Sequence, residues 1–361
     1  MIKHLKSFLL NLLAGANVAT VLLLLAVAYS DHLNPVEYPL MACAGMLIPF
    51  FLMANLMFVP FWVLFSWKRL LIPVLGFLLA YPAIRVYMPL HGQDAPPEGS
   101  LRIVSYNVCI YGGNYKYEHA FDTIFTYLKA QQADIVCIQE DRHVPFSDYE
   151  RYFPYNDTTQ VAYAPTIGYN YVGIHTRFPI LKKEKIEYDS RTNGSVAYYL
   201  NVNGDTIIVI NNHLESSHLN SKDRNRYEKM IKGGMGRDTA TTETVMIAGK
   251  LSEAMAIRAV QADSVHSYVE RHKQYPIIVC GDFNDTPISY VRRKMAEGLT
   301  DCYVESGRGP GLSYNRRGFN FRIDNLMCSS HFKPHACEID SKMDASDHYP
   351  LLCWLEIREN P

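Results

Sequence analysis

PIIVCGDFND, residues 276–285, is the stretch on which the fold turns. Ile277, Ile278, Val279 and Cys280 run without a polar break, the mark of a strand covered on both faces. Asp282 and Asn284 stand where that strand ends, so a carboxylate and an amide project from a rigid base. Taken alone, the segment is equally an ordinary exit from strand to turn.

The same form recurs on both sides of it. LRIVSYNV (101–108), ADIVCIQE (133–140), YNYVGIHT (169–176), VAYYLNV (196–202), TIIVINNHL (206–214), FRIDNLMC (321–328) and YPLLCWLEI (349–357) all read as strands. Polar residues again gather at their ends: Asn107, Glu140, His213, Asp324, and Asp347 with His348. Helical stretches lie between, at Tyr117 to Gln132 and Leu251 to His272. In the second, Leu251, Ala254, Met255, Ala262, Val265 and Val269 recur at helical spacing, interrupted by Arg258. Strands interspersed with helices predict sheets packed between helical layers. The polar segment Ser217 to Thr242 reads as a solvated surface excursion. Its functional alternative is a substrate-contacting loop, because it follows His213 closely.

The first ninety residues are of another kind. Phe8 to Tyr29, Tyr38 to Trp67 and Leu70 to Tyr87 are apolar, and a helix needs ~20 such residues to cross the hydrocarbon. Pro49 and Pro60 are tolerated in such spans, and Arg85 is expected to snorkel to the interface. The first run is too long for the core of a cleaved signal, and two more follow it. A three-helix anchor over about 8–29, 38–67 and 70–90 is expected. A linker at 91–100, marked by Pro96, Pro97 and Gly99, leads to a catalytic domain over 101–361. Lys3 and Lys6 mark the N-terminus as cytoplasmic, and Lys68 with Arg69 mark the second turn likewise. An integral protein of the cytoplasmic membrane follows, with its catalytic domain on the outer face, periplasmic or extracellular.

Of 35 basic and 36 acidic residues, five and four precede Ser100, so the larger part is close to neutral. A protein gripping nucleic acid along many phosphates needs a basic excess. The eight cysteines form no CxxC pair. Cys137, Cys280 and Cys353 read as buried thiols, and Cys328 and Cys337 could pair in an oxidising compartment.

Hard divalent ions such as Mg²⁺ or Mn²⁺ take oxygen ligands, which Glu140, Asp347, Asp282 and Asn107 can supply for phosphoester hydrolysis. Each residue also has a plain explanation. A lone His213 is more often structural than catalytic, and Asp324 beside Arg322 could be a surface ion pair of little worth. Their joint occurrence in order at strand ends shifts the balance.

That ordered set, RIVSYNV, DIVCIQE, GIHTRFPI, INNHLES, GDFND, GLSYN with RIDNL, and SDHYP, resembles the endonuclease/exonuclease/phosphatase superfamily across residues 101–357. The resemblance implies an α+β fold, a four-layer α/β/β/α sandwich of two mixed β-sheets. It assigns Asn107, Glu140 and Asp347 to a metal site. His213 would donate a hydrogen bond or proton near the phosphate, and Asp282 would orient or deprotonate the attacking water. Asn284 would hold a phosphoryl oxygen. His348, aligned by Asp324, would act as base or phosphate contact. His175 departs from the family, where a small residue is usual, and is expected to face outward on its strand, with a substrate contact as the alternative. Arg177 is expected to be structural.

The expectation is a membrane-tethered, Mg²⁺- or Mn²⁺-dependent phosphoester hydrolase. A phosphodiesterase acting on a lipid head group or other small phosphoester ranks first, because an anchor concentrates the domain at a bilayer. An outward-facing nuclease for DNA or RNA is the alternative. A noncatalytic membrane binding module would show a lost ligand, and none is lost. The bilayer and the phosphoester substrate are the partners implied; no segment calls for an obligate protein partner.

Overall fold

The structure, a computed structural model, describes residues 2–92, 94–112, 119–142, 145–164, 168–217, 219, 221–231, 234, 236–316 and 319–358. In chain order the strands begin with β1 (Leu101–Asn107), β2 (Ile135–Asp141), β3 (Tyr155–Ala164) and β4 (Gly168–Thr176). Next come β5 (Ile180–Ile186), β6 (Gly194–Val202), β7 (Asp205–His213) and β8 (Ile277–Asp282). Then follow β9 (Thr300–Asp301), β10 (Tyr314–Arg316), β11 (Phe319–Phe321), β12 (Asp324–Cys328), β13 (Phe332–Ile339) and β14 (Leu351–Ile357). All eight runs read as strands from the sequence are strands.

Two six-stranded sheets form, in the orders β13-β14-β1-β2-β4-β3 and β5-β6-β7-β8-β12-β9. Each contains one parallel pair, β1–β2 and β7–β8, among antiparallel neighbours. Parallel pairing brings the C-terminal ends of both partners to the same edge of a sheet. That edge is where Asn107, Glu140, His213 and Asp282 stand.

Ile103, Cys137, Ile174, Tyr198, Val209, Cys280 and Leu326 fill the space between the sheets. On one outer face, Ile124, Phe125 and Leu128 of the helix Ala120–Ala130 cover Val104, Val136 and Ile138. On the other, Ala262, Val265 and Val269 of the helix Arg237–Arg271 cover Ile208, Ile210 and Val279. The α+β sandwich of two mixed sheets is therefore present, with helical layers outside. Residues 117 and 118 of the first predicted helix lie outside the described residues.

Several expectations are corrected. The polar segment 217–242 is largely helical: Ser221–Ile231 is one helix, and the second predicted helix begins at Arg237. Charge pairs and a small apolar cluster of Leu219 with Ile247 help secure it. Lys250 Nζ lies 2.6 Å from Asp223 Oδ2, and Arg226 pairs with Glu243. All eight cysteines are free, and Cys328 has Cys302, not Cys337, as a sulfur neighbour at 3.7 Å. His175 does not face outward. It is fully buried against Tyr149, with Nδ1 2.8 Å from Asn156 Oδ1.

Two N-terminal helices, Lys3–His32 and Pro39–Phe65, are long and apolar enough to cross a membrane. The expected third span is not one helix: Trp67–Leu79 and Tyr81–Tyr87 meet at a bend of 62°. Pro82, early in the second piece, lacks the backbone donor that a continuous helix would use there. Arg85 pairs with Glu305 of the sandwich at 2.6 Å. The two long helices share a buried polar knot. Asn17 Nδ2 donates to Asn55 Oδ1 (3.2 Å), and Trp62 Nε1 donates to Asn17 Oδ1 (2.8 Å). Polar side chains of this kind join helices within hydrocarbon.

The chain entering the expected linker is tied to the sandwich. Gly309 N donates to Pro89 O (2.7 Å), His91 N donates to Gly307 O (3.3 Å), and Leu90 bridges Arg308.

Candidate active site

The strand ends converge. In the register of the second sheet His213 lies beside Asp282, and Asp282 beside Asp324, giving one row across β7, β8 and β12. From the first sheet Asn107 Nδ2 reaches across to donate to Asp282 Oδ2 (3.0 Å) and to Glu140 Oε1 (3.2 Å). Glu140 sits at a bulge between Gln139 and Asp141, with φ of 52°. The extra residue turns its carboxylate toward the cleft, where bulges commonly re-aim a side chain.

His213 Nε2 stands 3.8 Å from both Glu140 Oε1 and Asp282 Oδ2 and has no hydrogen-bond partner. Its Nδ1 lies 3.3 Å from Asn170 Nδ2 and accepts from it, which places the proton on Nε2. Burial, reinforced by His348, lowers its pKa to about 3, so the imidazole is neutral. A neutral imidazole donating into a cleft suits contact with a phosphoryl oxygen.

Asp324 Oδ2 lies 2.8 Å from His348 Nδ1, and His348 Nε2 lies 3.7 Å from Asp282 Oδ2. Burial alone would lower the His348 pKa, but Asp324 and Asp282 beside it push it up to about 10. Burial, with Asp324 adding, pushes Asp282 up to about 7 against the pull of His348. The alternative reading of Asp324, a surface pair with Arg322, is not realised, since Asp324 is buried and meets His348. Arg322 is buried and turned toward main-chain carbonyls.

Asn284, at φ 53°, is held by its own backbone N donating to Asp282 Oδ1 (2.8 Å). Its Nδ2 donates to Leu214 O at 2.9 Å. Asp347 is ion-paired with Arg316 at 3.1 Å. Arg177 lies 3.1 Å from Asp134, away from the cleft, and is half-exposed.

Sequence reading missed the supports beneath this row. Asn211 Nδ2 donates to Ile138 O and Gly173 O (2.9 Å each), and Gln139 Nε2 donates to Asn211 Oδ1 (2.7 Å), joining the sheets under the site. Arg258 Nε donates to buried Asp285 Oδ2 (3.1 Å) and its Nη1 to Glu215 O (2.9 Å), fixing the loop after Asn284. Ser313 Oγ accepts from the N–H groups of Ile323 and Asp324 at 3.1 Å. Polar Gln139 and Asn211 in mid-strand, and Arg258 on an apolar helix face, were the available signals.

The donor set fits a divalent ion. Glu140 and Asp347 are hard oxygen ligands. Both lie near Cys109, whose thiol burial and these carboxylates push up, so no thiolate competes. The orphaned His213 Nε2 leaves a polar vertex beside Glu140 that a bound water or phosphoryl oxygen would satisfy. Among the described residues, Asp282, Asp324 and His348 also present ligand atoms within 4.8 Å of one another and can hold a metal. The hydrogen bond from His348 Nδ1 to Asp324 occupies one of those nitrogens.

Residues 104–348 match the Endonuclease/Exonuclease/phosphatase family model, and the chain belongs to that family. Enzymes of the family hydrolyse phosphoesters and generally use a divalent metal. Residues 10–87 match a Domain of unknown function (DUF8431). No curated protein matches the chain. Among solved structures, the human Nocturnin catalytic domain with bound sulfate anion is 18% identical, with a TM-score of 0.50 over 72% of this chain and 94% of its own. SmcL is 17% identical, with a TM-score of 0.51 over 72% and 100%. A Bacteroides thetaiotaomicron mannosyl-6-phosphatase is 16% identical, with a TM-score of 0.49 over 72% and 100%. At these identities the likeness to the first two speaks for the fold alone.

Proposed function

We propose that this chain is a membrane-anchored, Mg²⁺- or Mn²⁺-dependent phosphodiesterase acting on a lipid head group. The observation that carries it is the placement of the anchor beside the site. Ile288, six residues beyond Asp282, packs into the apolar cluster of the anchor with Leu24, Val27 and Ile48. Arg322, two residues before Asp324, bonds to anchor carbonyls. A site flanked this way stands at the bilayer surface, where lipid phosphate is concentrated.

Glu140, Asn107 and Asp347 would hold the cation, which when bound supplies a Lewis acid for the phosphoryl oxygen. Asp282 orients the attacking water and takes its proton, a role matched to a carboxyl whose pKa stands near neutrality. His213 donates from Nε2 to a phosphoryl oxygen. His348, kept charged and aligned by Asp324, contacts the phosphate and opposes its charge. Asn284 holds a further phosphoryl oxygen once its amide leaves Leu214.

The catalytic domain lies on the outer face. It packs against the start of the second long helix at Gly45 and Ile48, whereas Lys3, Lys6, Lys68 and Arg69 mark the opposite ends, and basic residues favour the cytoplasmic side. The alternative, a nuclease, leaned on the basic segment 217–242, but Arg226 there is paired with Glu243.

The test offers the purified full chain phospholipid vesicles, plasmid DNA and RNA side by side, with Mg²⁺ or Mn²⁺. Head-group release with intact nucleic acid is expected. Nucleic-acid cleavage that disappears in Asp282→Asn would replace this reading with a nuclease.

A further inference from the structure

Arg322 is a buried cation whose guanidinium is met by main-chain carbonyls. Its Nη1 donates to Pro310 O at 3.0 Å and to Tyr87 O at 3.5 Å, and its Nη2 donates to Val86 O. The planar group lies 4.5 Å from the ring centroid of Tyr303. Val86 and Tyr87 end the anchor helix Tyr81–Tyr87, and the last carbonyls of a helix have no partner inside it. A cation there is also favoured by the helix dipole. Arg322 therefore caps the last helix of the anchor while standing two residues from Asp324.

The path onward is short. Ile323 O accepts from Phe283 N at 2.9 Å, so this strand entry also braces the residue after Asp282. A second contact comes from the start of the second long helix. A side chain at Gly45 would place its Cβ 1.8 Å from Ile288 O, so the two backbones touch. Cys43 Sγ lies 3.6 Å from Met255 Sδ of the helix covering the second sheet.

We propose that the anchor is a working part of the active site: the end of its last helix, through Arg322, positions Asp324 and so His348, while the Gly45 contact seats the loop after Asp282. Arg322 is a positioning residue and touches no substrate. The proposal rests on the hydrolase reading of the site, and it makes the anchor more than a tether.

The test uses the full chain in phosphatidylcholine nanodiscs with Mn²⁺ and the soluble diester bis(p-nitrophenyl) phosphate, which needs no membrane. Gly45→Val, remote from the chemistry, should lower kcat on the order of 10²-fold with KM within about twofold, as expected of misplaced catalytic groups. Arg322→Lys keeps the charge but not the fork of donors, and should lower kcat less than Arg322→Met does. Met255→Cys with Gly45 kept, oxidised with diamide to join residue 255 to Cys43, fixes the anchor where it sits and should hold kcat within about twofold of the wild type. Wild-type kcat in Gly45→Val and in both Arg322 variants would overturn the proposal. So would a cross-linked protein that stays folded by thermal scan but inactive. Absence of hydrolysis by the wild type on any phosphoester would instead overturn the hydrolase reading, and this proposal with it.

Discussion

Asp324 Oδ2 and His348 Nδ1 are 2.8 Å apart, and both residues are buried. A carboxylate so placed fixes the imidazole tautomer and favours its charged form. Asp324→Asn should keep the fold and remove that preference. We expect kcat to fall on the order of 10²–10³-fold with KM little changed. Steady-state kinetics on a soluble diester check this, and unchanged kcat would remove His348 from the chemistry.

Glu140 bears the metal assignment. Glu140→Gln should abolish metal-dependent hydrolysis. In thermal scans, wild-type protein should gain stability from Mn²⁺, about 2.7 kcal/mol at a hundredfold excess over Kd. The variant should gain much less, and EDTA should reverse the wild-type gain. Equal stabilisation of both proteins would move the ion elsewhere.

The raised pKa of His348 makes a statement about stability in metal-free protein. The folded state holds the proton more tightly than the unfolded chain, whose value is near 6.5. Its contribution is therefore full below pH 6.5 and is lost as pH rises through about 10. In EDTA, the Tm of the wild type should fall across that window more steeply than that of His348→Gln. Parallel curves would refute the linkage.

Arg258 and Asp285 form an ion pair with both side chains 1% exposed. Arg258→Met leaves Asp285 as an uncompensated buried charge and should cost about 3–5 kcal/mol. Replacing both by apolar residues should cost far less. Denaturant unfolding of the three proteins decides this, and equal losses would show that packing matters more than charge.

Much of this architecture was legible from one string. Continuous apolar runs such as IIVC and polar ends such as Asp282 mark central strands, because a strand buried on both faces tolerates polarity only where it leaves the sheet. Edge strands were not legible. β5, ILKKEKI, carries lysines that blunt an open edge, and these erase the apolar signature. The segment 217–242 hid its helices because its sequence is largely polar, and ion pairs such as Arg226 with Glu243 depend on contacts between helices. His175 was misplaced because strand alternation does not say which face a helix will cover. The candidate site was readable as a set of residue types. Its supports, Asn211 and Arg258, were not, since their roles depend on contacts across the sheets.

The knot of Asn17, Asn55 and Trp62 has a bearing on biogenesis. As membrane spans, neither long helix can satisfy its amide fully alone, for Asn17 Oδ1 and Asn55 Oδ1 are met from the other helix. A nascent first span would leave the insertion machinery with an exposed polar group and await the second. The pair is best released into lipid together, as a hairpin, before the sandwich that follows has been synthesised.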